Sequence, residues 1–315
     1  MSELTFWVLF NIFVAAMLVL DLGVFHRRAR AMRFGEAIGW SLMWMVLAAI
    51  FAVLVFWWRG RTPALEFVTG YLVEESLSVD NLFLFLVIFR YFRVPGIYQH
   101  KVLFWGIVGA LITRGIFIIA GVSLIRRFHW LIYLFGAFLI YTGVGLVKRQ
   151  VAEVHPEKNP VLRLFRRWMP VTPDFVDGKF FVRNEGVYAT PLFIVLLVVE
   201  TTDVVFAADS IPAILGITLD PFIVYTSNVF AILGLRSIYF TLAGMMETFH
   251  YLHYGLSAIL MFIGAKMLVS SYYSLPTHVA LGVVAGVLAI SVAASVIFPA
   301  KKKPGATQAQ TDRRG

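Results

Sequence analysis

Residues 199–213 read Val199-Glu200-Thr201-Thr202-Asp203-Val204-Val205-Phe206-Ala207-Ala208-Asp209-Ser210-Ile211-Pro212-Ala213. Three carboxylic acids stand inside an apolar run that extends from about 189 to 215. About 20 mostly apolar residues suffice to cross a ~30 Å hydrocarbon layer, so this run is long enough to span a membrane. Acids at that depth are costly and mark function by default. The surrounding chain makes the same point. Of its 315 residues 60% are hydrophobic and 14% charged, and the mean hydropathy is +0.82. A soluble domain carries roughly 25% charged residues. The composition predicts an integral membrane protein and excludes a cytosolic enzyme, a nucleic-acid partner and a secreted disulfide scaffold. Cysteine is absent, so a metal would be bound through oxygen or nitrogen donors.

Nine stretches qualify as spans: 5–25, 36–58, 64–89, 102–125, 129–147, 189–215, 221–246, 251–271 and 277–298. None alternates polar and apolar as a barrel strand would. The first is preceded by Glu3, followed by Arg27-Arg28-Ala29-Arg30 and lacks a small-residue cleavage site, so it is expected to stay as a span. Loops on the side of 26–35 and the tail hold 20 Lys and Arg, and those on the other side hold 4. By the positive-inside rule the N-terminus is periplasmic and the C-terminus cytoplasmic. The expected organisation is two N-terminal helices (1–63), a three-helix unit (64–147), a cytoplasmic segment (148–188), a second three-helix unit (189–271), a final helix (272–298) and a disordered basic tail (299–315). Pro160 to Pro170 reads as a basic amphipathic segment suited to anionic membrane lipid. Asp177-Gly178 and Asn184-Glu185-Gly186 flank a short hairpin.

The two three-helix units look like copies. Phe128-His129-Trp130-Leu131-Ile132-Tyr133 recurs 121 residues on as Phe249-His250-Tyr251-Leu252-His253-Tyr254, and Gly143 falls on Gly264. Arg114 falls on Arg236 at an offset of 122. At 129, Leu77-Ser78-Val79-Asp80-Asn81 overlies Phe206-Ala207-Ala208-Asp209-Ser210, and Glu74 overlies Asp203. An odd number of helices per copy turns the second upside down. The fold expected is therefore all-α and polytopic, about nine transmembrane helices with two inverted repeats and a site near the midplane between them.

Each acid at a helix centre costs about 2.5–3.5 kcal/mol. Glu74, Glu75 and Asp80 in the third span and Glu200, Asp203 and Asp209 in the sixth face only two bases at similar depth, Arg114 and Arg236. So large a surplus requires protons or a bound cation among them. Carboxylates, Asn81, Asn228 and hydroxyls suit a hard divalent ion such as Mn, Mg or Ca. His129, His250 and His253 stand at span ends, away from such a site. The arginines read equally as repeat-related ion pairs or as counter-charges of an empty site. Pro212 and the crowded Ser and Thr suggest a helix interrupted near the acids. Gly106, Gly109, Gly143, Gly264, Gly282 and Gly286 read as close-packing positions.

These segments, Glu74-Glu75-Ser76-Leu77-Ser78-Val79-Asp80-Asn81-Leu82-Phe83 and 199–213, resemble the two signatures of the TerC family. So do Tyr225-Thr226-Ser227-Asn228 through Arg236 and Asp21-Leu22-Gly23-Val24-Phe25-His26, and the resemblance runs from about 5 to 298. It implies kinship with LysE-type exporters and, in bacterial members, a link to manganese efflux and historically to tellurite resistance. It further implies that Glu74, Asp80, Glu200, Asp203 and Asp209 are the metal-site acids. Asn81 joins them as a neutral donor. Glu75 ranks lower, because its counterpart in the second copy is Val204. The expected function is export of divalent cations, manganese by resemblance, across the inner membrane by alternating access, with proton antiport as one option, the ion as cargo and no resident cofactor. The alternative is an accessory factor for membrane-protein insertion or for metalation of exported proteins, docking a partner such as the translocon. A tellurite-reducing enzyme has neither Cys nor a cofactor motif to work with.

Overall fold

The computed structural model describes residues 3–26, 34–148, 160–183, 186–245, 251–270, 272 and 275–297. Nine helices of 18 residues or more occur among them: α1 (Glu3–His26), α2 (Phe34–Arg59), α3 (Arg61–Tyr91), α4 (Gly96–Arg127), α5 (Leu131–Lys148), α7 (Pro191–Leu215), α8 (Pro221–Met245), α9 (Leu252–Val269) and α10 (Thr277–Ile297). A short helix, α6 (Pro160–Trp168), and an antiparallel hairpin of β1 (Phe181–Arg183) and β2 (Val187–Ala189) lie between α5 and α7. The expected tail, 299–315, lies outside the described residues.

Six of the helices are long and apolar enough to cross a membrane by length and composition: α2, α4, α7, α8, α9 and α10. Apolar stretches of α1 and α5 are shorter, and α3 is interrupted by its own acids. The chain is thus an all-α, multi-pass membrane protein. Its outer helices present apolar side chains outward, as a lipid-facing surface requires; Leu42, Val46, Ile50, Val53 and Trp57 of α2 are exposed in this way.

Proline and acid residues set the helix starts. Pro191 opens α7 in the first turn, where its missing N–H costs nothing. Pro221 opens α8 behind Asp220, whose Oδ1 accepts from the backbone N–H of Phe222 at 2.9 Å. The other oxygen of Asp220 pairs with Arg59, tying the end of α2 to the start of α8. α8 is the centre of the molecule, buried along nearly its whole length. Phe222 and Phe230 pack there against Phe10, Phe51 and Phe67 of α1, α2 and α3.

α3 packs on α8 and α4 on α7, while α5 lies along α9. The α5–α9 seam is closed by small residues. A Cβ on Gly136 would come within 2.9 Å of the Gly264 carbonyl oxygen, and one on Gly264 within 2.6 Å of the Gly136 oxygen. Further along, the Ser257 hydroxyl donates to the Gly143 carbonyl at 2.5 Å. Gly143 and Gly264 are therefore the close-packing positions expected of them. Gly282 and Gly286 are not, since a Cβ on either would meet nothing within 4 Å.

The expected helix break near the acids does not occur. α3 and α7 run unbroken through Glu74, Asp80, Glu200 and Asp209. The hydroxyls there satisfy the helix rather than compete with it: Ser76 donates to Leu72 O, Thr201 to Leu197 O and Thr202 to Val198 O. Pro212 falls in the last turn of α7, where its missing N–H removes little.

Candidate ion-binding site

An unbroken helix turns about 100° per residue, so acids six apart point about 120° away from each other. Asp203 and Asp209 therefore face different neighbours. Asp203, together with Glu74 on α3, converges on Arg114 of α4. The Arg114 guanidinium pairs with Glu74, reaches Asp203 Oδ1 at 3.2 Å through Nη2, and donates through Nη1 to Ser210 Oγ and Asn228 Oδ1, both at 3.3 Å. Arg114 and Glu74 are each 1% exposed and Asp203 4%. This cluster joins α3, α4, α7 and α8 at the core of the bundle.

The cluster is not fully satisfied. Glu74 Oε2, Asp203 Oδ2, Arg114 Nε, Ser78 Oγ and Glu75 Oε2 are buried and lack a hydrogen-bond partner among the described residues. A buried carboxylate oxygen left without a partner costs more than a neutral group would. Unmet acceptors of that kind are the donor set a hard cation uses.

Asp209 points away, toward α5, and accepts from the Thr142 hydroxyl at 3.2 Å. Asn81 and Asp209 line a cavity of about 50 Å³ with Thr142 and Phe206. Glu200 lies on the other side of α7. It borders a second cavity, of about 20 Å³, whose walls include Asp203 and Arg236. Either volume exceeds the minimum for one water-sized occupant. The room for Glu200 comes from Gly109 on α4, where a Cβ would collide with the Glu200 carboxylate.

Of the residues expected at the site, the structure thus brings Glu74, Asp203 and Arg114 into one cluster. Glu200 and Arg236 share the adjacent cavity, and Asn81 and Asp209 share the other. The side chain of Asp80 lies outside the described residues. Among the described residues no three acids or histidines converge as a ready-made metal site. Sequence reasoning missed Thr142, a hydroxyl in an apolar span with no distinguishing pattern. It also treated Gly109 as a helix-packing residue, whereas what Gly109 accommodates is a carboxylate.

Comparison with known proteins agrees with this architecture. Residues 59–303 match the integral membrane protein TerC family. An uncharacterized membrane protein of Myxococcus xanthus is 55% identical over 292 residues, covering 92% of each chain. The Escherichia coli K12 protein named "Putative membrane-bound redox modulator Alx" is 48% identical over 296 residues, 90% of this chain and 92% of its own. A Rickettsia felis membrane protein is 42% identical over 292 residues, 92% of this chain and 97% of its own. No solved structure matches. With its acids and arginines at the crossing of α3, α4, α7 and α8, the chain belongs to the TerC family of integral membrane proteins.

Proposed function

We propose that this protein exports divalent metal cations, Mn²⁺ foremost, across the inner membrane by alternating access between two inverted repeats, α3–α5 and α7–α9. Nine spans would place the N-terminus in the periplasm and the C-terminus in the cytoplasm. The observation that carries the reading is the Glu74–Arg114–Asp203 cluster, in which one buried cation already bridges an acid from each repeat. A transported ion would bind the same two carboxylates, with Glu200 beside Asp203 in the adjacent cavity, and Asp209, Asn81 and Asp80 would serve farther along its path. Hard oxygen donors favour Mn²⁺ or Mg²⁺ over thiophilic metals.

Helix pairing supports the repeat. Exchange α3 with α7, α4 with α8 and α5 with α9, and the packing is returned to itself: α3 on α8 becomes α7 on α4, and the α5–α9 seam maps onto its own image. Even its contacts obey the exchange, since Gly136 against Gly264 becomes Ser257 against Gly143 at the offset of 121.

Purified protein in liposomes, loaded in turn with Mn²⁺, Mg²⁺, Ca²⁺ and Zn²⁺, tests the proposal. Saturable Mn²⁺ flux above protein-free vesicles is expected. Equal handling of Mg²⁺ and Mn²⁺ would remove the manganese assignment, and no flux of any of the four would remove the transport reading. The name of the Escherichia coli relative speaks of redox modulation, and movement of a redox-active metal such as Mn²⁺ is compatible with it.

A further inference from the structure

The helix α6 carries three arginines and no acid, and the next acid along the chain is Asp174. At about 100° per residue, its side chains sort into three stripes roughly a third of a turn apart. Leu162 and Phe165 form one, Leu164 and Trp168 the second, and Arg163 and Arg167 the third. The first stripe is taken up by the bundle: Leu162 is buried in the cluster that holds Leu192 and Ile194 of α7, and Phe165 packs against that cluster. The second is just as apolar, yet Leu164 is 57% exposed and Trp168 83%. The apolar arc of α6 is wider than the bundle covers.

The position of α6 in the fold says what lies against the rest. The ring of Phe165 is centred 5.2 Å from that of Phe193, in the first turn of α7, and Phe181 of the hairpin is centred 4.5 Å from the same ring. Because α7 is long and apolar enough to cross a membrane, its first turn marks the membrane boundary, and α6 lies at the depth of the lipid headgroups. At that depth tryptophan and leucine reach the acyl chains, while arginines on the adjoining arc reach phosphate oxygens. Arg163 and Arg167 are both exposed. A protein partner fits this surface less well. A helix of nine residues is about 14 Å long. Two apolar side chains on so short a helix fall well below the roughly 800 Å² per partner of a stable protein interface.

The geometry points to α6 as an interfacial anchor for anionic phospholipid: Leu164 and Trp168 enter the boundary between headgroups and acyl chains, and Arg163 and Arg167 hold the phosphates of acidic lipids beside them. A neutral leaflet satisfies the apolar stripe alone, whereas an anionic one satisfies both stripes. Through Phe165 and Phe193 the anchor fixes the depth at which α7 enters the membrane. It makes no use of the ion that the bundle handles, so it stands whether or not the export reading does.

The absence of cysteine allows a single reporter without background. Leu164→Cys, at an exposed position, takes a bimane label in the full-length protein, reconstituted in vesicles of equal parts phosphatidylcholine and phosphatidylglycerol. Bromine, a short-range quencher, is carried near the top of the acyl chain by one lipid or the other. Both leaflets contain it, so the direction of insertion does not affect the reading. Brominated phosphatidylglycerol should quench the label about fivefold more than brominated phosphatidylcholine, the attraction of one arginine to an acidic leaflet. The preference should vanish in Arg163→Glu/Arg167→Glu and persist in Arg163→Lys/Arg167→Lys. Raised salt should weaken it in the labelled chain without any further substitution, which keeps the test open if the charge reversal does not fold. A label at Val46→Cys, on the outward face of α2, should be quenched equally by the two lipids. Quenching by neither lipid at 164 overturns the anchor and leaves the stripe to a protein partner. Equal quenching at 164, or a preference as strong at 46, overturns it as well, because acidic lipid would then not be gathered by α6.

Discussion

Gly109 and Glu200 face each other so closely that a single methyl group at 109 would collide with the Glu200 carboxylate. Gly109→Ala should therefore push that carboxylate out of its cavity and lower Mn²⁺ flux by about tenfold or more, as loss of one charged ligand interaction does. The helix itself should gain slightly, since Ala exceeds Gly by about 1 kcal/mol in helix preference. Flux and thermal melting of the same preparation would check this. A proportional fall in both would mean that the residue is only structural.

The acids of α3 and α7 should be needed together. Asp80→Asn and Asp209→Asn each remove one negative charge while keeping shape, one from α3 and one from α7. Each should abolish efflux at unchanged expression and monodispersity. Normal efflux in either variant would remove that residue from the ion path.

A third expectation concerns protons. Glu74, Glu75, Glu200, Asp203 and Asp209 lie in the bundle with Arg114 and Arg236, so charge balance without a metal calls for bound protons. Binding of a divalent cation should then release at least one. Glu200 falls on Tyr71 at the offset of 129, so like Glu75 it has no acidic counterpart in the other three-helix unit. Glu200→Gln should lose the release, read by a pH dye during a metal pulse between about pH 6 and 8. Metal flux without proton movement anywhere in that range would mark a uniporter.

The Asp220 cap and its pairing with Arg59 hold α8 to α2 away from the acids. Asp220→Ala should cost about 1–2 kcal/mol of stability through the lost cap and ion pair. The melting temperature should fall while flux per folded molecule is unchanged. A selective loss of flux would instead place Asp220 in the transport path.

The basic helix α6 separates export from a docking role. Leu162 anchors it against the bundle while Leu164 and Trp168 stay exposed. Charge reversal at Arg163, Arg166 and Arg167 together with removal of 299–315 should leave flux in liposomes within about twofold, because salt screens charges beyond a Debye length of about 10 Å. Loss of activity in cells alone, with flux intact in liposomes, would favour a partner that α6 engages.

Much of this architecture was legible in the residues, because apolar length and proline are local signals. Pro191, Asp220-Pro221 and Gly60 stand where helices begin or end. The acids and arginines were legible as a set for a related reason: charge in an apolar run has few explanations. Their grouping was not. Pro212 suggested a break that would let Asp203 and Asp209 converge, but the helix continues, so its periodicity sends them to different cavities. Nor could the sequence distinguish the two arginines, which fall on each other at an offset of 122. Only the packing reveals that Arg114 holds the acids. Thr142 becomes visible only when α5 is laid beside α7.

The seam between α5 and α9 limits how such a molecule can move. Its backbones touch at Gly136 and Gly264, and Ser257 is bonded to the Gly143 carbonyl. Two helices meeting at that distance cannot slide past each other without driving side chains into carbonyl groups, which leaves a turn about their line of contact as the movement the seam resists least. In the transport cycle proposed above the seam would serve as a pivot: α3–α5 and α7–α9 would rock on it like two boards sharing an axle, and the α3–α8 and α4–α7 contacts would carry the travel.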